Sequence, residues 1–256
     1  MTSGSITANI LLLGAGIVAG AMNAVAGGGT FVALPILTLV GLPPTIANAS
    51  TTVALFPGTV ASAWAYRKDV QPIEGLSPGL LLALSLIGGL IGALLLLFTP
   101  QKAFTALIPW LLLLATITLA LGPRAATGLR SIGLNFRGRS VYLAQLLLGV
   151  YGGYFGGAVG LMMLAVWSLA STAELRTLTP LRTVMVSAAN GAAVICFAAT
   201  GSVGWAASLL VMAGGIAGGY LGARLGWRLP APAIRALVMT VTVITTVVFF
   251  AKAYWT

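Results

Sequence analysis

Apolar residues run along the chain in ten stretches, at about 8–26, 30–42, 46–66, 76–98, 103–121, 141–158, 160–172, 180–200, 204–223 and 233–251. Within them apolar residues follow one another without a two-residue alternation, and glycines recur at the spacing of packed helices. That pattern predicts helices and argues against a β-barrel. Most stretches approach the ~20 residues that cross a ~30 Å hydrocarbon core, whereas 30–42 and 160–172, of about 13 residues, fall short. The expected fold is all-α: a polytopic membrane protein whose elements include two half-length segments.

The long polar stretch at 122–140 divides the chain into nearly equal parts, and the parts resemble each other. A shift of 133 residues places Gly16, Gly20 and Gly27 on Gly149, Gly153 and Gly160, Ser50 on Thr183 and Val70 on Val203. After a small gap, Gly88, Gly89 and Gly92 correspond to Gly214, Gly215 and Gly218, and Pro100 to Pro230. Each part reads as a long run, a Gly cluster, a short run and three full-length helices. We therefore expect an internal duplication, with 1–121 as the first transmembrane repeat, 122–140 as a basic cytoplasmic linker and 141–256 as the second repeat. Such duplications are characteristic of transporters.

Charge adds direction to this picture. The chain has 13 Lys or Arg against 3 Asp or Glu, no His and one Cys, with 59 % hydrophobic residues. These counts exclude a metal cluster, a His-based triad, a carboxylate pair and an intrachain disulfide, so neither an enzyme nor a cofactor is implied. The basic residues sit singly or in short groups between apolar runs, without the stripe that nucleic acid requires. They are topogenic. If each long-plus-short pair crosses twice, or enters and returns as a re-entrant hairpin, eleven cations fall at one face: Arg67, Lys68, Arg124, Arg130, Arg137, Arg139, Arg176, Arg182, Arg224, Arg228 and Arg235. Only Lys102 and Lys252 lie opposite. Reading each pair as one broken helix would give a split of seven against six, which the positive-inside rule disfavours. The expected arrangement is five elements per repeat in inverted orientation, with both termini outside, in a bacterial inner (plasma) membrane.

Candidate chemistry lies at the Gly clusters. Gly27, Gly28 and Gly29 follow Asn23 and precede Thr30, and three consecutive glycines mark a break in a helix. A helix restarting at Thr30 would present free N–H groups and the positive end of its dipole to a cavity, an anion site without a charged side chain. Gly156, Gly157 and Gly160 supply the matching break. Polar residues on the helices that follow complete the candidate substrate-binding set: Asn48, Ser50 and Thr51 in one half, Arg182, Thr183 and Asn190 in the other. Because Arg182 closely follows Pro180, it is expected to snorkel to the cytoplasmic interface and gather anions there. Gly88 to Gly92 and Gly214 to Gly226 have the small-xxx-small spacing of helix contacts within the chain. A homodimer face is compatible with them but not called for.

The run Ala26 to Pro35 (AGGGTFVALP), Ala47 to Thr51 (ANAST), Pro57 and the Tyr66-Arg67 helix end resemble the TauE/SafE family of sulfite exporters and related anion permeases. Gly156 to Gly160 (GGAVG), Thr183, Asn190 and the Gly214 to Gly222 cluster are similar to its second repeat. The chain departs from the family pattern at Leu181, Arg182 and Thr183, where Gly-Thr-Ser is usual. The resemblance implies a permease for sulfite, thiosulfate or organosulfonates, exporting by alternating access around a midplane site, with lipid and a small anion as its partners. A permease for a small carboxylate, or a non-transporting assembly factor, are the alternatives.

Overall fold

The computed structural model describes residues 3–131, 138–171, 173–226 and 231–255. Ten helices follow in order among the described residues: α1 (Ser3–Ala26), α2 (Thr30–Leu39), α3 (Pro44–Tyr66), α4 (Pro78–Phe98), α5 (Gln101–Ser131), α6 (Arg139–Tyr154), α7 (Val159–Ala170), α8 (Leu175–Ala199), α9 (Trp205–Gly226) and α10 (Ala231–Tyr254). Six of them, α1, α4, α5, α8, α9 and α10, contain segments long and apolar enough to cross a membrane. The helix of α5 continues to Ser131, through the first ten residues of the stretch read as linker. With 10 residues, α2 rises only about 15 Å and cannot cross; α7, with 12, rises about 18 Å.

Each short helix folds back on the long one before it. Gly27 leaves α1 at φ +72°, a conformation glycine adopts without strain. The chain then reverses so sharply that a Cβ on Gly29 would lie 2.6 Å from the carbonyl oxygen of Ala19, ten residues earlier. The second reversal uses Gly156 at φ +78° and Ala158 at φ +59°. Trp167 of α7 then donates its indole N–H to Gln145 Oε1 of α6 at 3.2 Å. Both pairs are therefore hairpins, each beginning and ending at one rim of the bundle.

Which rim is fixed by contacts between neighbours. Leu42, just after α2, packs against Gly204 at the start of α9, and the Gly204 N–H donates to Ser50 Oγ of α3 at 2.9 Å. The N–H of Thr45 donates to Gln101 Oε1 at 3.2 Å, and the Tyr254 hydroxyl to the Ala106 carbonyl at 3.1 Å. Together these bring the ends of α2, α4, α8 and α10 to a single rim, which also carries Lys102. At the other rim the Ser77 N–H donates to the Tyr142 hydroxyl at 2.8 Å, and Ile73 and Leu76 pack with Val141, Trp167 and Leu178. Arg67, Lys68, Arg139, Arg176 and Arg224 stand at or beside helix ends of this second rim.

The hairpins pack on the opposite half. From Gly16 against Val211 to Ala21 against Gly222, α1 runs parallel to α9. In the same way α6 runs parallel to α4, from Leu146 against Gly88 to Gly153 against Gly92. Exchanging the two halves also turns α3·α9 into α8·α4 and α2·α10 into α7·α5, and all of these pairs are in contact. Glycine makes the approach close: a Cβ on Gly20 would sit 2.1 Å from Gly215 O, and one on Gly153 2.0 Å from Gly89 O. Lipid offers no hydrophobic drive for helices to associate, so dispersion between backbones brought this near replaces it. Gly16, whose Cβ would meet Val211 O at 2.3 Å, belongs to the same seam.

Candidate functional site

A cavity of about 370 Å³ lies where the two reversals meet α3 and α8. The first hairpin contributes Asn23, Gly27 and Thr30; the second contributes Gly156, Ala158, Val159 and Gly160. From α3 come Thr52, Leu55, Thr59, Ser62 and Tyr66, and from α8 come Thr179, Arg182, Thr183, Val186 and Asn190. Tyr66 is the last residue of α3 and Thr179 lies near the start of α8, so the mouth is at the Arg67 rim. Toward the Lys102 rim the wall is shut. There Asn48 is fully buried, and its Nδ2 donates to the backbone oxygen of Tyr154 at 2.8 Å. The Tyr154 hydroxyl lies 3.2 Å from Thr99 Oγ1, and its ring meets Phe104 edge-on at 5.7 Å.

The wall is electropositive and has no counter-charge. None of the described lining residues is Asp or Glu, while Arg182 is present. Its Nε is buried without a hydrogen-bond partner, and its Cδ would lie 3.1 Å from a Cβ on Gly160, in the first turn of α7. The first backbone bonds of α7 run from Leu161 and Met162 N–H to Ala158 O, at 2.9 and 3.2 Å. The N–H groups of Val159 and Gly160 precede them and have no acceptor within the helix. Arg182 and the positive end of α7 therefore face one space. The arginine stands in the cavity wall rather than reaching out to the membrane surface, because Gly160 leaves room for its aliphatic stem against α7.

Eight of the sequence-selected residues come together here: Asn23, Gly27, Thr30, Gly156, Gly160, Arg182, Thr183 and Asn190. Six do not line the cavity. Gly28 is buried toward Met22 and Val238, Gly29 lies beneath the Ala19 carbonyl, and Gly157 abuts the Phe155 ring. Ser50 and Thr51 spend their hydroxyls on Gly204 N–H and on Ala47 O, and Asn48 closes the far end. Of the three consecutive glycines, then, Gly27 both faces the cavity and makes the turn at φ +72°, and Gly29 leaves room for the close return past Ala19. The substrate-binding set drawn from the sequence left out Thr52, Thr59, Ser62, Tyr66 and Thr179, which also line the cavity. The first four share the spacing 48, 52, 55, 59, 62, 66, a single face of α3 that was legible at a helical period.

Helices long and apolar enough to cross a membrane, two hairpins that each return through a short helix, and a polar cavity at their reversals, open at one rim and shut at the other, define a multi-pass membrane transporter. The chain belongs to the Sulfite exporter TauE/SafE family, which matches residues 12–249. It is 27 % identical over 241 residues to a "Probable membrane transporter protein" of Haemophilus influenzae, covering 92 % of each chain. It is 26 % identical over 241 residues to the "Probable membrane transporter protein YfcA" of Escherichia coli, covering 91 % of this chain and 85 % of the relative. A third relative, the "Probable membrane transporter protein ORF9" of Sinorhizobium sp., is 27 % identical over 235 residues, 90 % of this chain and 87 % of its own. No solved structure matches the chain. The protein is accordingly a multi-pass bacterial membrane protein of a transporter family.

Proposed function

We propose that the protein is a permease for a small sulfur-containing anion (sulfite, thiosulfate or an organosulfonate) and that it works by alternating access of two inverted halves around this cavity. One observation carries the reading: Arg182, its Nε unpartnered and buried, shares a space free of carboxylates with the first turn of α7. A cation without an internal counter-ion is balanced by an anion from outside. The exchange-related helix contacts support the inverted halves, since each repeat would use the same interfaces in the opposite sense. Under the positive-inside rule the Arg67 rim is cytoplasmic, and the cavity as described opens inward. A membrane potential negative inside then favours anion exit by about 2.3 kcal/mol per charge per 100 mV, so export needs no coupling ion. The described cavity wall has no carboxylate or imidazole to carry a proton against that gradient.

The test is flux of sulfite, thiosulfate, sulfoacetate and lactate through the purified protein in liposomes. Saturable transport of at least one sulfur anion, above that of lactate, is the expected result. Preference for lactate would make it a carboxylate permease, and lack of flux for all four would remove the permease reading altogether.

A further inference from the structure

The face of α3 that lines the cavity from Thr52 to Tyr66 does not end there. At the same spacing of three and four residues it continues through Asn48 to Thr45, and Leu55 is the one residue along it without a polar side-chain group. From Thr45 to Tyr66 this stripe rises about 32 Å, the thickness of the hydrocarbon core. A polar stripe of that length is costly in a membrane unless it lines a wet route or its groups are bonded within the protein. Both conditions hold, one in each half: the inner half borders the cavity, and the outer half is bonded shut.

Two layers close the outer half. In the inner layer Asn48 Nδ2 donates to the Tyr154 backbone oxygen at 2.8 Å, and the Tyr154 hydroxyl lies 3.2 Å from Thr99 Oγ1. In the outer layer the Thr45 N–H donates to Gln101 Oε1 at 3.2 Å, while Gln101 Nε2 donates to Thr45 Oγ1. Gln101 is exposed at the rim, and Lys102 follows it. On α8 the residues beyond Asn190 at the same spacing, Ala193 and Phe197, are apolar and buried in one cluster with Phe104 and Phe155, so along that face the polar lining stops. We propose that the anion leaves along α3, past Asn48 and Thr45, and that Tyr154 is the gate across this route, with the Gln101 clasp outside it. The inference rests on the permease reading and adds to it the outer half of the path. Tyr154 is the last residue of α6, and Gly156, two residues on, lines the cavity, so gate and site share one turn of chain. Opening parts the Tyr154 hydroxyl from Thr99 and Gln101 from Thr45, groups near enough to the rim for water to satisfy them, which keeps its cost small. Lys102 then stands where the anion emerges.

The test is made in a Cys196→Ala background. N-ethylmaleimide attached to purified Thr45→Cys places a group across the route, and after reconstitution into liposomes most of the saturable sulfite flux should be lost. The same label on Ala103→Cys, exposed at the same rim beside Lys102, should leave flux unchanged. A second arm uses Thr52→Cys, one turn inside Asn48. Removing the Tyr154 hydroxyl and the clasp together, by Tyr154→Phe with Gln101→Ala, should raise its reaction with a membrane-impermeant thiol reagent about fivefold from outside intact cells, the effect of about one net hydrogen bond on an opening equilibrium. In inside-out vesicles the rate should not rise. Full flux through labelled Thr45→Cys, equal loss in labelled Ala103→Cys, an unchanged outer rate, or an equal rise from both sides overturns the inference. Each arm decides alone where the other's variant does not fold. Sulfite flux before labelling together with any of those results overturns the outer route alone; absence of saturable flux for every anion before labelling overturns the permease reading, and this route with it.

Discussion

Replacing Gly20 with alanine puts one methyl group where the structure has none to spare. The added Cβ would lie 2.1 Å from Gly215 O and 2.8 Å from both the Gly215 carbonyl carbon and Cα, and all three are backbone atoms that cannot rotate away. Ordinary contact requires α1 and α9 to separate by more than an ångström along a seam that also includes Gly16, Gly214, Gly218 and Gly222. Overpacking of this kind costs about 1–3 kcal/mol, and an unyielding neighbour places it at the upper end. Alanine returns about 1 kcal/mol of helix propensity, so a net loss of about 2 kcal/mol remains. Gly14, on the same helix with nothing within 4 Å of its would-be Cβ, gains the propensity and meets no neighbour. Unfolding followed by tryptophan fluorescence in detergent should therefore separate Gly20→Ala from Gly14→Ala by about 3 kcal/mol, or about 6–12 °C in Tm. Gly153→Ala, whose Cβ would stand 2.0 Å from Gly89 O, should behave like Gly20→Ala. Equal stability of Gly20→Ala and Gly14→Ala would refute the claim that the hairpins are seated by backbone contact.

Three further outcomes follow from other parts of the structure. Gln145→Leu removes both the donor to Ser85 Oγ at 2.8 Å and the acceptor for the Trp167 indole, leaving a buried N–H unmatched; thermal unfolding should show a loss of about 1–3 kcal/mol. Asn48→Leu deletes the hydrogen bond to Tyr154 O that helps close the far end, so a cysteine at Leu55 in a Cys196→Ala background should react faster with a reagent applied from the Lys102 side. In the same background Lys68→Cys should label only from the cytoplasm and Lys102→Cys only from outside, and labelling of both from one side would break the assignment of rims.

Much of the fold was legible because the bilayer restricts what a chain can do. Apolar runs mark the helices, three consecutive glycines mark a reversal, and the contacts of Gly204, Gln101 and Tyr142 put Arg67, Lys68, Arg139, Arg176 and Arg224 at one rim and Lys102 at the other. The exchange of hairpins, α1 onto α9 and α6 onto α4, left no trace that one sequence can display, because small residues say that a helix is approached closely and not by which partner. For the same reason the glycines could not be sorted. Gly27 faces the cavity and Gly29 the Ala19 carbonyl, yet both are one residue type in one motif. Arg182 was open to two readings from sequence, a substrate-binding candidate or a snorkelling side chain just after Pro180, and only the structure, in which α8 begins at Leu175 and runs through the proline, puts it in the cavity wall. The buried network of Gln145, Ser85 and Trp167 was overlooked because each is a single polar residue in an apolar run, and only packing joins them.

The most direct test of the account is potential-driven sulfite flux through wild-type protein in liposomes, measured beside Arg182→Gln at low and high salt. If the arginine belongs to the cavity wall, wild type should give saturable flux that rises with the imposed potential, and Arg182→Gln should lose most of it at every ionic strength, since a ligand in contact is little screened. An Arg182→Gln protein that recovers wild-type flux as salt rises, or that never differed from it, would place the arginine at the surface and contradict the assignment of this cavity as the anion site.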